Sequence, residues 1–99
     1  MSSLPSGTVT FLFTDIEGST KLAREHPGTW EFLRERHNAI LRGAIEANHG
    51  YIFQIIGDAF CVAFHTSVDG LNAAVEAQRG LKTEEWGESI IKVRMGTRL

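Results

Sequence analysis

Residues 51–64 read YIFQIIGDAFCVAF: two β-branched and aromatic runs separated only by Gly57 and Asp58. A two-residue connection containing glycine between such runs is a hairpin signal, because glycine supplies the positive φ that a tight turn between twisted strands requires. An antiparallel hairpin in mid-chain constrains everything around it. Upstream, TVTFLFTDI (8–16) is another nearly unbroken apolar run, the pattern of a central strand covered by its neighbours. Downstream, IIKVRMG (90–96) starts a last strand.

Helical periodicity fills the gaps. Ser19 or Thr20 is a suitable N-cap for a short helix running towards His26, and Pro27-Gly28 punctuates it. From Thr29 a long helix follows. Its Trp30, Leu33, His37, Ile40, Leu41, Ala44 and Ile45 recur at three and four, which sets one stripe against a core. Glu31, Arg34, Glu35, Arg36 and Arg42 form the solvated face. His49-Gly50 stops the helix, with Gly50 as its C-terminal cap. A third helix is expected from Ser67 to Arg79, carrying Val68, Leu71, Ala74 and Val75 inward and ending at Gly80; residues 81–89 read as loop.

Strand, two helices, hairpin, helix, strand has one simple layered solution. A right-handed crossover makes the first two strands parallel. The third then lies between them, antiparallel to both, in an α/β (α+β) ferredoxin-like antiparallel sheet with helices on one face. Residues 1–7 read as a flexible leader and 8–99 as one domain. In this arrangement Asp15, ending the first strand, and Asp58, just past the second, reach the same sheet edge from distant parts of the chain.

Composition limits the partners. The 99 residues suit one small domain, and 42% hydrophobic with 22% charged residues is ordinary globular content. A net charge of −2 makes no electrostatic case for nucleic acid or an anionic membrane. No apolar run approaches the roughly 18 residues that span a bilayer, and MSSLPSG lacks the basic and apolar regions of a signal peptide. The single cysteine, Cys61, sits between Phe60 and Val62 as a buried thiol would. A cytoplasmic location is the expectation. The four histidines, His26, His37, His49 and His65, show no paired zinc spacing and read as surface or helix-end residues.

Two ionised carboxylates about 4 Å apart repel by roughly 4 kcal/mol at an effective dielectric near 20. Either one holds a proton or a cation lies between them. Oxygen donors without thiol or imidazole favour magnesium or manganese over zinc. Next to Asp15, Gly18-Ser19-Thr20 offers backbone N–H groups at a helix start, where phosphate is welcome. A metal edge beside a phosphate cradle suits a nucleoside triphosphate. The plainer alternative is a capping Asp15 and a turn-forming Asp58.

FLFTDIEGST, a long helix, FQIIGDAFCVAF and then KVRMG resemble the class III adenylyl/guanylyl cyclase catalytic domain in its bacterial form, over about Thr8 to Gly96. The resemblance implies conversion of ATP or GTP to the 3′,5′-cyclic nucleotide and pyrophosphate with two divalent ions, Mg2+ or Mn2+. It makes Asp15 and Asp58 the metal-binding, catalytic aspartates and Ile16 the backbone carbonyl ligand. It makes Gly18, Ser19 and Thr20 the triphosphate loop; Glu17 is no ligand and points to solvent. The base-reading position falls on Gln54, where the family carries Lys for adenine or Glu for guanine. An amide both donates and accepts, so either purine stays open. The resemblance also implies a domain nearly twice this length. Its later half supplies a second base-reading residue and an Asn and Arg for the transition state, in a head-to-tail dimer. The expectation is a truncated cyclase fold, the metal and triphosphate half, inactive alone and paired as a homodimer or with a complementing cyclase chain.

Three rivals stand beside it. D-x-E after a strand also resembles haloacid-dehalogenase-type phosphatases, with Glu17 as second acid, but the hairpin at Gly57-Asp58 contradicts their parallel sheet. An RNA-recognition module shares the topology but needs a basic, aromatic strand surface. A non-catalytic ferredoxin-like dimerisation or regulatory module derived from a cyclase fits the short length and the open apolar sheet edge.

Overall fold

The computed structural model describes residues 9–87 and 91–98. The leader expected at 1–7 lies outside the described residues. The elements are β1 (Thr10–Ile16), α1 (Ser19–Glu25), α2 (Trp30–Ala47), β2 (Tyr51–Ile56), β3 (Ala59–Phe64), α3 (Ser67–Thr83) and β4 (Val93–Arg98). The four strands form one sheet in the order β2-β3-β1-β4. Each neighbouring pair is antiparallel, so β1 and β2 run parallel with β3 between them. This is the ferredoxin-like arrangement read from the sequence.

Alternation along the central strands sets the layers. On β1, Thr10, Leu12, Thr14 and Ile16 are buried, and on β3 Phe60, Val62 and Phe64 are fully buried. These side chains meet the helices. Phe11, Phe13 and Asp15 project from the opposite, open face. There Phe11 stacks with Phe13 and meets the Phe53 ring edge-on. Cys61 is buried as expected.

The long helix buries Leu33, His37, Leu41, Ala44 and Ile45, with Trp30 and Ile40 packed at the margin of the core. His37 is therefore a core residue rather than a surface one. The residue that leaves the helix with left-handed backbone is His49 (φ 64°), not Gly50. Gly50 is required for a different reason: a Cβ there would lie 2.6 Å from the Phe64 ring and 2.7 Å from Ile45.

The third helix is rotated from the expected orientation; of the four residues expected inward, Ala74 alone packs against the core. The helix buries Gly70, Ala73, Ala77 and Leu81, while Val68 and Leu71 are 64% and 61% exposed and Val75 is also exposed. Small residues won the inner face because they allow backbone to approach closely. A Cβ on Gly70 would touch Thr10 and Phe64, and one on Gly80 would lie 2.8 Å from Ile40 of α2. Gly80 is thus a contact point inside the helix, which continues to Thr83. Thr66 caps its start by accepting the Asp69 N–H, and Gln78 donates to the Val93 carbonyl, tying α3 to β4.

Candidate functional site

The site is built where β1 ends and the β2–β3 hairpin turns. Gly57 has φ 61° and Ile56 pairs with Ala59, so Gly57 and Asp58 form the two-residue turn. From there Asp58 reaches across: its Oδ2 accepts the Ile16 backbone N–H at 2.7 Å. Asp15 adjoins Ile16 in sequence, so the fold brings both aspartates to one rim. The Asp15 Oδ2 in turn accepts from the Arg94 guanidinium at 2.7 Å. Asp15 and Arg94 are direct cross-strand partners of β1 and β4. Arg94 is the residue sequence reasoning missed. Its signal was the strand register, which pairs VRMG against FTDI.

Beyond the rim the chain continues at Glu17, which is exposed and whose N–H donates to the Lys92 carbonyl. Gly18 then adopts left-handed backbone (φ 65°) and is itself the N-cap of α1, with no side chain capping the helix. Ser19 and Thr20 were expected to cap; they are instead its first two helical residues, because the reversal from strand to helix needs the conformation that glycine adopts freely. The first-turn N–H groups of α1 therefore keep their capacity for an outside acceptor.

Gln54 is exposed on β2, immediately after a bulge at Phe53. It pairs with Cys61, which pairs with Phe13, which pairs with Gly96, so these four positions form one line across the sheet. Asp15 lies two residues further along β1. A hollow of about 260 Å³ beside this line is lined by Phe13, Asp15, Cys61, Arg94 and Met95 among others. A larger hollow, about 860 Å³, opens near Glu17, Trp86 and Lys92 but includes neither aspartate.

Beneath the rim, Phe60 receives the His37 ring edge-on at 5.8 Å, with the Arg42 guanidinium 5.7 Å from its centroid. His37 Nδ1 meets the Asn38 Oδ1 at 2.8 Å, while its Nε2 is buried with no partner. Burial pushes the His37 pKa down; the Asn38 bond and the Asp58 charge pull the other way.

A model of the adenylate and guanylate cyclase catalytic domain matches residues 1–93. The chain belongs to this family. It is 34% identical over 94 residues to an adenylate cyclase of Schizosaccharomyces pombe, covering 95% of this chain but 6% of that protein. It is 36% identical over 92 residues to one of Lachancea kluyveri, covering 93% of this chain and 5% of the relative. Among solved structures, one of the adenylate cyclases of Trypanosoma brucei in their monomeric state superposes with a TM-score of 0.87 at 22% identity. That match covers 97% of this chain and 58% of the other. A second gives 0.81 at 30% identity over 87% of this chain and 37% of that one. The chain thus spans a small part of the curated relatives it matches, and no helix among the described residues is long and apolar enough to cross a membrane.

Cyclase domains of this family generally depend on divalent metal, and the donor set fits one. Asp58 and Asp15 each engage one carboxylate oxygen, Oδ2, in the bonds above and keep a second. The Arg94 guanidinium already sits where positive charge is favoured. Among the described residues no cluster of three or more His, Cys, Asp or Glu could hold an ion alone. A hard cation here would complete its shell with further oxygens from phosphate or water.

Proposed function

We propose that this chain is the metal-binding and triphosphate-binding half of a nucleotidyl cyclase catalytic domain. The reaction joins the ribose 3′-oxygen of ATP or GTP to the α-phosphorus and releases pyrophosphate. Asp15, Asp58 and the Ile16 carbonyl would hold Mg2+ or Mn2+. Such ions, when bound, help to deprotonate the 3′-hydroxyl and neutralise charge on the β- and γ-phosphates. The Gly18-Ser19-Thr20 amides receive phosphate oxygens, and Gln54 faces the base. Asp58 also orients the rim through its bond to Ile16. The chain acts with a second cyclase chain or copy, in the cytoplasm.

The observation that carries this reading is the 2.7 Å bond from the Ile16 N–H to Asp58, which unites the two acidic motifs. The test is manganese titration, followed by assay for cyclic nucleotide with ATP and GTP. The chain should bind manganese and lose it on Asp58→Asn, and the cyclic nucleotide it forms with a complete family member should fall with the same substitution. Manganese binding that persists unchanged in Asp58→Asn would overturn the reading.

The second reading, a non-catalytic dimerisation or regulatory module, is favoured by exposed Phe53, Ile55, Ile56, Val68 and Leu71. Indifference to manganese combined with concentration-dependent self-association would establish it instead.

A further inference from the structure

Arg34–Glu31, Arg36–Glu84 and Arg94–Asp15 are ion pairs among the described residues. The first lies within one helix, and the second is a two-bond contact that pins the residue after α3 to α2. Only in the third is the acid part of a rim that holds another carboxylate, Asp58. Asp58 takes its bond from a neutral N–H and is in none of the ion pairs among the described residues. Arg94 therefore supplies positive charge at this rim through Asp15.

We propose that Arg94 is a built-in competitor for the divalent cation, latching Asp15 until an ion displaces it. This rests on the metal-binding reading above and concerns what controls occupancy of that site. Three features support it. The pair is fixed by register, since Asp15 and Arg94 are directly opposite on β1 and β4 and so meet without any loop rearrangement. The bond is short and charge-assisted, 2.7 Å between Nη2 and Oδ2. Yet both side chains are well exposed, 64% for Arg94 and 45% for Asp15, so the latch is weak enough to release. A long exposed arginine can swing into water by side-chain rotation alone, leaving the strand pairing intact.

The guanidinium offsets part of the negative charge that Asp15 brings to the rim. A divalent ion held by Asp15 and Asp58 would take the place of the guanidinium on Asp15. The consequence is a threshold: metal affinity is lower than the two aspartates would give if Arg94 were absent.

The experiment uses the full 99-residue chain, stripped of metal, with Mn2+ binding followed by the electron-spin-resonance signal of the free ion. Arg94→Gln should tighten Mn2+ binding about threefold or more. Arg94→Lys, which keeps the charge but loses the planar fork, should fall between that variant and the native chain. Unchanged or weaker binding in Arg94→Gln, with the native chain binding and Asp58→Asn not, overturns the latch alone. Failure of both the native chain and Arg94→Gln to bind overturns the metal reading and the latch with it. An independent readout needs no variant. Saturating Mg2+ should move the Arg94 side-chain N–H resonance towards that of a free guanidinium, and a resonance that stays in place at saturation contradicts displacement.

Discussion

Asp58, in the hairpin turn, accepts the backbone N–H of Ile16 at 2.7 Å although 42 positions separate them. The bond fastens the β2–β3 turn to the end of β1, beyond the last ladder pair between β1 and β3, Thr14 with Phe60. Removing the carboxylate with Asp58→Ala leaves a part-buried N–H without its acceptor and should cost about 1.5–3 kcal/mol in urea unfolding. Asp58→Asn keeps an acceptor oxygen and should lose less than half as much. A loss below about 0.5 kcal/mol in Asp58→Ala would show that the bond contributes little to the fold.

The rotation of α3 makes an opposite pair of expectations. Leu71 is exposed, so Leu71→Gln should change stability by no more than about 0.5 kcal/mol. Ala73 is fully buried, and Ala73→Leu should cost about 1–3 kcal/mol by overpacking the interface. Thermal or denaturant melts decide it. The reverse ranking would restore the orientation expected from the sequence.

At the end of α2 it is His49, not the expected Gly50, that takes the left-handed conformation. His49 bears the positive φ, so His49→Gly should raise stability by about 0.5–1 kcal/mol through relief of left-handed strain. Gly50→Ala would drive a methyl into Phe64 and Ile45 and should destabilise by about 1–3 kcal/mol. A melting-temperature shift of the same sign in both would contradict this assignment.

His37 gives the fold a pH dependence of defined sign. Its pKa is lowered from 6.5, first by burial, so at mildly acidic pH the unfolded chain takes up a proton that the folded chain resists. Its contribution is fully present above the unfolded value and is lost as pH falls through about 6.5 towards the folded pKa. The melting temperature should therefore drop between about pH 7.5 and 5.5, and His37→Gln should flatten that slope. An unchanged slope in the variant would place the titration elsewhere.

Much of the fold was legible because it rests on local pattern. Near-continuous apolar runs marked β1, β2 and β3, the Gly57-Asp58 pair marked their hairpin, and a three-four spacing marked α2. What misled was the assumption that larger apolar side chains face inward. On α3, Val68 and Leu71 follow a helical stripe as regular as that of Gly70, Ala73 and Ala77. Periodicity shows that a helix has faces, but not which face a neighbour needs. That choice depended on Ile40, Phe64 and Thr10, whose nearness no single helix encodes.

The amino-acid sequence by itself determined the element order, the two acidic motifs and membership of the cyclase family, since each is carried by residues close together in the chain. Only the tertiary structure decided that Arg94 holds Asp15, that Asp58 is bonded to Ile16, and that Gly80 is a helix contact rather than a helix end. These are relations across strands and helices, set by register and by the space between packed backbones. No local stretch of sequence contains either quantity.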